Sequence, residues 1–218
     1  MAKPIRVLVA DDHTIVRDGL RALLNAESDI QVIGEAQSGR EAVQLARKLR
    51  PRVVVMDIGM PQLNGLEATR QITKENPGIR LLMLSMHSDS EYVRHALKAG
   101  AAGYLVKQSG AADLTTAVRE LARGRTFFSP VIWQILNGQY LQMIKGKGAL
   151  PAGDLLTSRE AEILQLVAEG NSSKQIAVEL SISPKTVEKH REQLMRKLNI
   201  HEVASLTRYA LAHGVVQG

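Results

Sequence analysis

Residues 52–57 read RVVVMD, so a short β-branched run ends directly at an aspartate. Four more apolar runs of this kind lie at 5–10, 30–35, 79–84 and 103–106. Amphipathic stretches with helical spacing follow each run, at 14–26, 39–49, 65–75, 89–99 and 111–123. This alternation is typical of a parallel sheet with helices on both faces, and near-continuous apolar strands fit burial on both sides. The pattern therefore predicts an α/β domain at 1–126 with a doubly wound, five-stranded parallel sheet.

The pattern changes after residue 126. Residues 131–144 have the spacing of one amphipathic helix, and the next nine, KGKGALPAG at 145–153, contain four Gly or Pro residues, as linkers do. Four short helices should follow. The first begins at a capping box of Thr157 and Glu160 and ends at Gly170, and Ser172 caps the second, at 173–180. The third starts at Ser183-Pro184, and the fourth lies near 201–212. We therefore predict a linker with one helix at 127–153 and a small all-α domain at 154–218.

Composition excludes several classes of protein. The 218 residues include no cysteine, which excludes disulfides, thiolate catalysis, zinc fingers and iron–sulfur clusters. No apolar run reaches the ~18 residues that a membrane helix needs. The first apolar run stops at two aspartates, unlike a signal peptide, so we expect a cytoplasmic protein without a membrane partner.

Polar residues stand where the predicted strands end: Asp11 and Asp12 after the first, Asp57 after the third, Ser85 after the fourth and Lys107 after the fifth. Carboxyl ends of parallel strands meet at one edge of the sheet, so these side chains should converge. Three carboxylates suit Mg²⁺, and a lysine and a hydroxyl can hold the oxygens of a phosphoryl group. An aspartate there can act as the nucleophile and form an acyl phosphate. A single aspartate at a strand end is usually only a turn or cap residue; the set of five makes the prediction.

Residues 1–125 resemble the receiver domain of response regulators, a flavodoxin-like fold. The matching pieces are Asp11-Asp12-His13, Asp57-Ile58-Gly59-Met60-Pro61 with Gly65, Ser85, and Gly103-Tyr104-Leu105-Val106-Lys107. The resemblance implies that Asp57 is the phosphoacceptor of a histidine kinase. It implies that Asp12, Asp57 and the Gly59 carbonyl bind Mg²⁺ directly, with Asp11 acting partly through water. It also implies that Lys107 pairs with a phosphoryl oxygen, that Ser85 rotates inward to hydrogen-bond the group, and that Tyr104 follows Ser85.

Three positions in this part of the chain bear on how the site behaves. Gln108 follows Lys107 where many receivers have a cis proline, so we expect a looser or trans connection. Gly59 has no side chain to screen the phosphoryl group from water, whereas His87, two residues past Ser85, is bulky enough to do so.

Residues 184–198 have the features of a recognition helix. At 100° per residue, Val187, Leu194 and Leu198 share one face, while Lys185, Lys189, Glu192 and Arg196 share the opposite face, flanked by Glu188. The segment 184–197 holds five basic and two acidic residues, a local strip more informative than the net charge of +6. A capped helix, a three-residue turn and a Ser-Pro start precede it, as in a helix-turn-helix.

Residues 155–215 resemble the LuxR-type helix-turn-helix of the NarL/FixJ group, on LTSRE at 156–160, Gly170, KQIA at 174–177, Leu180, Ile182-Ser183, Thr186-Val187, His190 and Lys197-Leu198. The predicted DNA-binding residues are Lys174, Lys185, Thr186, Glu188, Lys189, Glu192 and Arg196. Lys and Arg can bind guanine or phosphates, Glu can accept from cytosine, and Lys174 suits a phosphate.

The leading hypothesis is a phosphorylation-switched transcription factor, not an enzyme. Its expected partners are promoter double-stranded DNA, a histidine kinase, a second copy when phosphorylated, and RNA polymerase. One alternative is a constitutive DNA-binding regulator whose receiver only dimerises. Another is an aspartyl-phosphate phosphatase, which typically has a second acid two residues after the nucleophile, where this chain has Gly59.

Overall fold

The computed structural model describes residues 3–86, 88–144, 156–213 and 215–216. The chain folds into two compact units, Met1–Ala149 and Leu150–Gly218. His87 and the predicted linker segment 145–153 lie outside the described residues.

The first unit is a parallel sheet in the order β2-β1-β3-β4-β5-β6. Its strands are β1 (Ile5–Ala10), β2 (Ile30–Ala36), β3 (Val53–Asp57), β4 (Arg80–Ser85), β5 (Gly103–Val106) and β6 (Phe127–Phe128). The helices between them are α1 (Thr14–Asn25), α2 (Gly39–Leu49), α3 (Gly65–Glu75), α4 (Ser90–Ala99) and α5 (Ala111–Ala122), and α6 (Pro130–Ile144) follows β6.

Helices cover both faces of this sheet. Apolar residues of α2, α3 and α4 pack on one face around Leu8, Val54 and Met83. Those of α1 and α5 pack on the other face around Val9 and Leu105. The predicted doubly wound α/β fold is confirmed, since each strand contributes alternate side chains to two separate apolar layers.

The sheet has one strand more than the five predicted. Phe127 and Phe128 pair in parallel with Gly103 and Tyr104 of β5, inside the segment that the sequence assigned to the linker. The Phe128 ring contacts the Trp133 ring edge-on, with centroids 5.5 Å apart. The prediction of five strands was wrong because two residues are too few to show a strand periodicity.

Local contacts fix the point where β3 gives way to α3. A Cβ on Gly65 would lie 1.8 Å from the Asp57 carbonyl oxygen, so only glycine fits there. The Asn64 side chain then accepts a hydrogen bond from the Glu67 amide and caps α3. The end of β3, and with it Asp57, is thereby held against the start of a helix.

Arginines at the opposite edge of the sheet bind the ends of helices. Arg6 of β1 donates to the carbonyl of Leu49, the last residue of α2, at 2.7 Å. Arg52, just before β3, donates from two nitrogens to the carbonyl of Ala122, the last residue of α5, at 2.9 and 2.7 Å. These guanidinium groups satisfy carbonyls that a helix end leaves without an intrahelical partner.

The second unit contains α7 (Ser158–Ala168), α8 (Ser173–Glu179), α9 (Pro184–Leu198) and α10 (Val203–Ala212) around one apolar core. The predicted capping box at Thr157 is present, the predicted cap at Ser172 is a second capping box, and the Ser183 side chain caps α9. Buried Glu160 belongs to the first box and also accepts from Lys197 Nζ at 2.6 Å, which joins α7 to α9. Within the described residues, every helix is too short or too polar to cross a lipid bilayer.

Candidate functional site

Lys107 joins the carboxylates at the carboxyl edge of the first unit's sheet. Its Nζ lies 2.8 Å from Asp11 Oδ2 and 2.9 Å from Asp57 Oδ1. The Asp11 and Asp57 side chains are 1% and 4% exposed, and the Lys107 side chain is 15% exposed. The structure therefore brings together three of the predicted residues from the ends of β1, β3 and β5 as one buried charge cluster.

Asp12 and His13 complete the acidic end of this cluster. The His13 Nδ1 lies 2.8 Å from Asp12 Oδ1 and 3.3 Å from Asp11 Oδ1. The His13 amide also donates to Asp11 Oδ1 at 2.9 Å. His13 was quoted among the matching residues but was given no role by the sequence, and its position directly after the aspartate pair was the available signal.

Burial and charge act against each other in this cluster. Burial raises the pKa of Asp57, and the neighbouring Asp11 adds to that effect, so that Lys107 only partly offsets them. Burial opposes the charge of Lys107, but its hydrogen bonds with Asp11 and its attraction to Asp57 outweigh burial and raise the pKa of that ammonium group. The carboxylates thus hold more negative charge than one lysine neutralises.

The donor set fits a hard divalent cation. Three carboxylates and one ammonium give a formal charge of −2, which one divalent ion would balance, and carboxylate oxygens are the ligands that Mg²⁺ prefers. Ligand-capable atoms of Asp11, Asp12 and His13 all lie within 4.8 Å of one another. Asp57 is connected to Asp11 through Lys107, which contacts both carboxylates.

Ser85 and Tyr104 form a buried pair beside the cluster. Each residue is 1% exposed, and their hydroxyls are hydrogen-bonded to each other. Burial raises the pKa of Tyr104 to about 12, so this hydroxyl keeps its proton. The Lys107 amide donates to the Ser85 carbonyl at 2.7 Å, which connects the pair to the residue that contacts Asp57.

Two loops at the site, after Lys107 and after Asp57, have a definite backbone geometry. The Lys107–Gln108 bond is trans, in agreement with the absence of a proline at 108. After Asp57, the amides of Met60 and Gly65 both donate to the Ile58 carbonyl, so the loop that contains Gly59 folds back on the end of β3. Gly59 itself is partly exposed at this edge.

The charged surface of α9 faces solvent as the sequence predicted. Val187 and Leu194 are buried, whereas Lys185, Glu188, Lys189, Glu192 and Arg196 are exposed. Five of the predicted DNA-binding residues line one open depression together with Ser183: Lys185, Thr186, Glu188, Lys189 and Glu192. Lys174 is exposed near the start of α8.

Thr186 differs from the other candidates on α9. It is partly buried, its amide donates to Ser183 Oγ at 3.1 Å, and the two hydroxyl oxygens lie 2.8 Å apart. Its hydroxyl is therefore engaged in the cap of α9, a structural contact that the sequence analysis did not assign to it.

Comparison with known families gives two matches that follow the two units. The response regulator receiver domain matches residues 7–119, and the bacterial regulatory proteins of the LuxR family match residues 154–210. The chain is a LuxR-type response regulator. Members of this family with this domain pair are DNA-binding regulators of two-component systems, and that function is shared by this chain.

Relatives resemble this response regulator over nearly its whole length. The transcriptional regulatory protein MctR of Rhizobium johnstonii is 40% identical over 97% of this chain and 95% of that protein. The response regulator protein VraR of Staphylococcus aureus is 38% identical over 98% of this chain and 99% of the VraR chain. Among solved structures, the response regulator RcsB in complex with DNA has a TM-score of 0.60 at 26% identity and covers 97% of this chain and 99% of its own.

Proposed function

We propose that this response regulator accepts a phosphoryl group on Asp57 from the phosphohistidine of a kinase. The observation that carries the proposal is the Lys107 ammonium, which contacts Asp57 Oδ1 and Asp11 Oδ2 at once. Asp12, Asp57 and the Gly59 carbonyl would bind Mg²⁺ directly, with Asp11 acting partly through water. When bound, Mg²⁺ supplies positive charge to the oxygens of the transferred group.

The chain's own residues have distinct tasks in this transfer. A carboxylate oxygen of Asp57 attacks phosphorus, and the bond from phosphorus to the kinase histidine breaks, so an acyl phosphate forms on Asp57. Lys107, already at 2.9 Å from Asp57 Oδ1, pairs with a phosphoryl oxygen. The Ser85 hydroxyl turns to hydrogen-bond a second oxygen, and Tyr104, its partner, moves with it.

Phosphorylation would control DNA binding through assembly. One α9 presents few positive charges, so a single copy should bind DNA weakly, whereas two copies gain affinity from their effective concentration. We propose a phosphorylated homodimer on roughly two-fold symmetric half-sites of promoter DNA, acting on RNA polymerase in the cytoplasm. The functional division that we propose is a receiver at 1–126, a linker with one helix at 127–153 and a DNA-binding domain at 154–218.

The first experiment tests the phosphoacceptor. The full chain, incubated with Mg²⁺ and a small phosphodonor, should gain the mass of one labile phosphoryl group, and peptide mapping should place it on Asp57. Asp57→Asn should abolish the gain, whereas Asp18→Asn, which changes a half-exposed aspartate of α1, should leave it unchanged. Labelling that persists at another aspartate in the Asp57→Asn protein contradicts the assignment.

The second experiment separates the switch from constitutive binding. Sedimentation and DNA binding are measured with and without the phosphodonor, on the same protein. The proposal expects a weakly binding monomer without phosphate and a tightly binding dimer with it. A protein that is dimeric and binds DNA at full strength without phosphate favours the constitutive regulator instead.

A third experiment tests the DNA face. Lys189→Ala should weaken binding to the preferred site by about 1–3 kcal/mol and relax one base position, because Lys189 is exposed in the α9 depression. If neither affinity nor preference changes, this face is not the one that contacts the bases.

A further inference from the structure

The depression on α9 contains two carboxylates without a partner in the part of the chain that the structure describes. Glu188 and Glu192 are exposed, and among the described residues their side chains form no hydrogen bond or ion pair. Lys185 and Lys189 each stand three residues before one of them, a spacing at which helix ion pairs form, yet both lysines are also unpaired. All four side chains therefore remain available to an outside partner.

Two acids in this position need a physical reason. DNA phosphates repel carboxylates, so Glu188 and Glu192 weaken binding to any duplex. Only a hydrogen-bond donor on the DNA can compensate, and in the major groove the donors are the amino groups of cytosine and adenine. Adenine itself presents N7, an acceptor that repels a carboxylate, beside its amino group, whereas cytosine itself presents no acceptor in the major groove. Cytosine is therefore the base that a glutamate favours.

We propose that Glu188 and Glu192 each select a cytosine in the major groove, which makes them specificity-determining residues of this regulator. The inference rests on the proposed DNA-binding role of α9. The two glutamates are one helical turn apart, about 6 Å, and base pairs are spaced by about 3.4 Å. They thus reach different base pairs, about two steps apart, while Lys185 and Lys189 lie beside them for the O6 and N7 acceptors of guanine.

A glutamine at either position has an opposite preference. Its amide carries a donor and an acceptor, the pair that matches N7 and the amino group of adenine. Glu188→Gln should therefore change the preferred base from cytosine to adenine at one position, and Glu192→Gln should do so at a second position. Each change also removes one negative charge, so binding to unrelated DNA should become tighter.

The experiment is selection from random duplexes by the full chain, treated with Mg²⁺ and a phosphodonor. The wild type, Glu188→Gln and Glu192→Gln are compared with Glu202→Gln, which removes the same charge from an exposed residue at the start of α10. We expect one cytosine to become adenine in each α9 variant and the Glu202→Gln sites to match the wild type. If the wild type selects a site and neither α9 variant changes its base preferences, only this inference is overturned. If the wild type selects no site, the proposed DNA binding is overturned as well.

A chemical probe tests the hydrogen bond itself. In the selected duplex, the cytosine assigned to Glu188 is replaced by pyrimidin-2-one, which lacks the amino group. Wild-type affinity should fall about tenfold, and Glu188→Gln should show little change on the same replacement. Equal losses for both proteins would show that Glu188 does not contact that base and would overturn its assignment.

Discussion

The buried charge cluster of the first unit and the α9 surface of the second contain similar residue types in opposite surroundings. Asp11, Asp57 and Lys107 are largely buried, and Lys107 contacts the two aspartates at 2.8 and 2.9 Å. On α9, Lys185 and Glu188 are exposed and form no ion pair with any residue that the structure describes. Buried charges must be satisfied within the protein, so their geometry is set before any partner arrives. Exposed charges cost little folding stability when they are unpaired, so they remain available to interact with a binding partner.

Loss of Lys107 should have the largest effect, because it breaks the buried network. Lys107→Ala leaves the carboxylates of Asp11 and Asp57 together without their cation, and removal of one partner of a buried pair costs about 3–5 kcal/mol. Chemical denaturation at neutral pH measures the loss. Mg²⁺ should restore more stability to the variant than to the wild type, because metal binding should persist in the variant. Phosphorylation of the variant should no longer change DNA binding. Equal Mg²⁺ effects on both proteins would argue against the site.

Glu160 of the second unit carries a buried, paired charge, as Asp11 and Asp57 do in the first unit. Glu160→Gln weakens its contacts with Lys197 Nζ and with the amide and hydroxyl of Thr157, at a cost of about 1–3 kcal/mol. Exchange of the backbone amides at 158–198 measures the loss. The control Glu162→Gln, in a pair with Arg159 on the same helix, should cost less, because the Glu162 side chain is 12% exposed against 3% for Glu160.

The same residue predicts a pH dependence. Burial opposes the charge of Glu160, but Lys197 and Thr157 outweigh it and lower the pKa of the carboxyl below its ordinary 4.5. Its contribution to stability is therefore present above pH 4.5 and is lost as pH falls through the lower, folded-state pKa. Acid should destabilise wild-type α7–α9 more steeply than the Glu160→Gln variant in that range.

Asp57→Asn should have a smaller effect of the opposite sign. The raised pKa of Asp57 means that its charge costs stability as pH rises from its ordinary value of 3.8 through the folded-state value. A neutral asparagine avoids that cost, so the melting temperature at neutral pH should rise by a few degrees. The gain should vanish at pH 3, where the wild-type carboxyl is protonated; a gain that persists there would have another cause.

The smallest effect is expected for Lys174, an exposed charge near the start of α8 that we propose to contact a DNA phosphate. Lys174→Ala should leave folding stability and base preference unchanged. It should reduce the slope of log affinity against log salt by about one unit, because one phosphate contact is lost. Affinity measured over a salt series on two unrelated duplexes provides the test, and an effect restricted to one duplex would instead indicate a base contact.

The sequence predicted those features that depend on periodicity or on the carboxyl edge of a parallel sheet. The five main strands, the caps at Thr157 and Ser172, and the meeting of Asp11, Asp57 and Lys107 all follow from local pattern and topology. The β6 pairing was missed because Phe127–Phe128 is only two residues long.

Contacts that depend on side-chain direction were missed for a different reason. The bond between Glu160 and Lys197 joins residues 37 positions apart, and nothing in either local pattern selects the other. The approach of His13 to Asp12 depends on the turn after β1, where the His13 amide binds Asp11. Such contacts follow from tertiary packing and turn geometry, which spacing alone does not encode.

The arginines at the amino edge of the sheet hold helix ends in place at the edge opposite to Asp57. Arg6 and Arg52 remain charged at any physiological pH, so their bonds to the ends of α2 and α5 are insensitive to the chemistry at Asp57. We therefore expect a phosphoryl group on Asp57 to be accommodated in the loops that carry Ser85 and Lys107. A reaction at the carboxyl edge of the sheet should therefore move the loops at that edge and leave the rest of the fold unchanged.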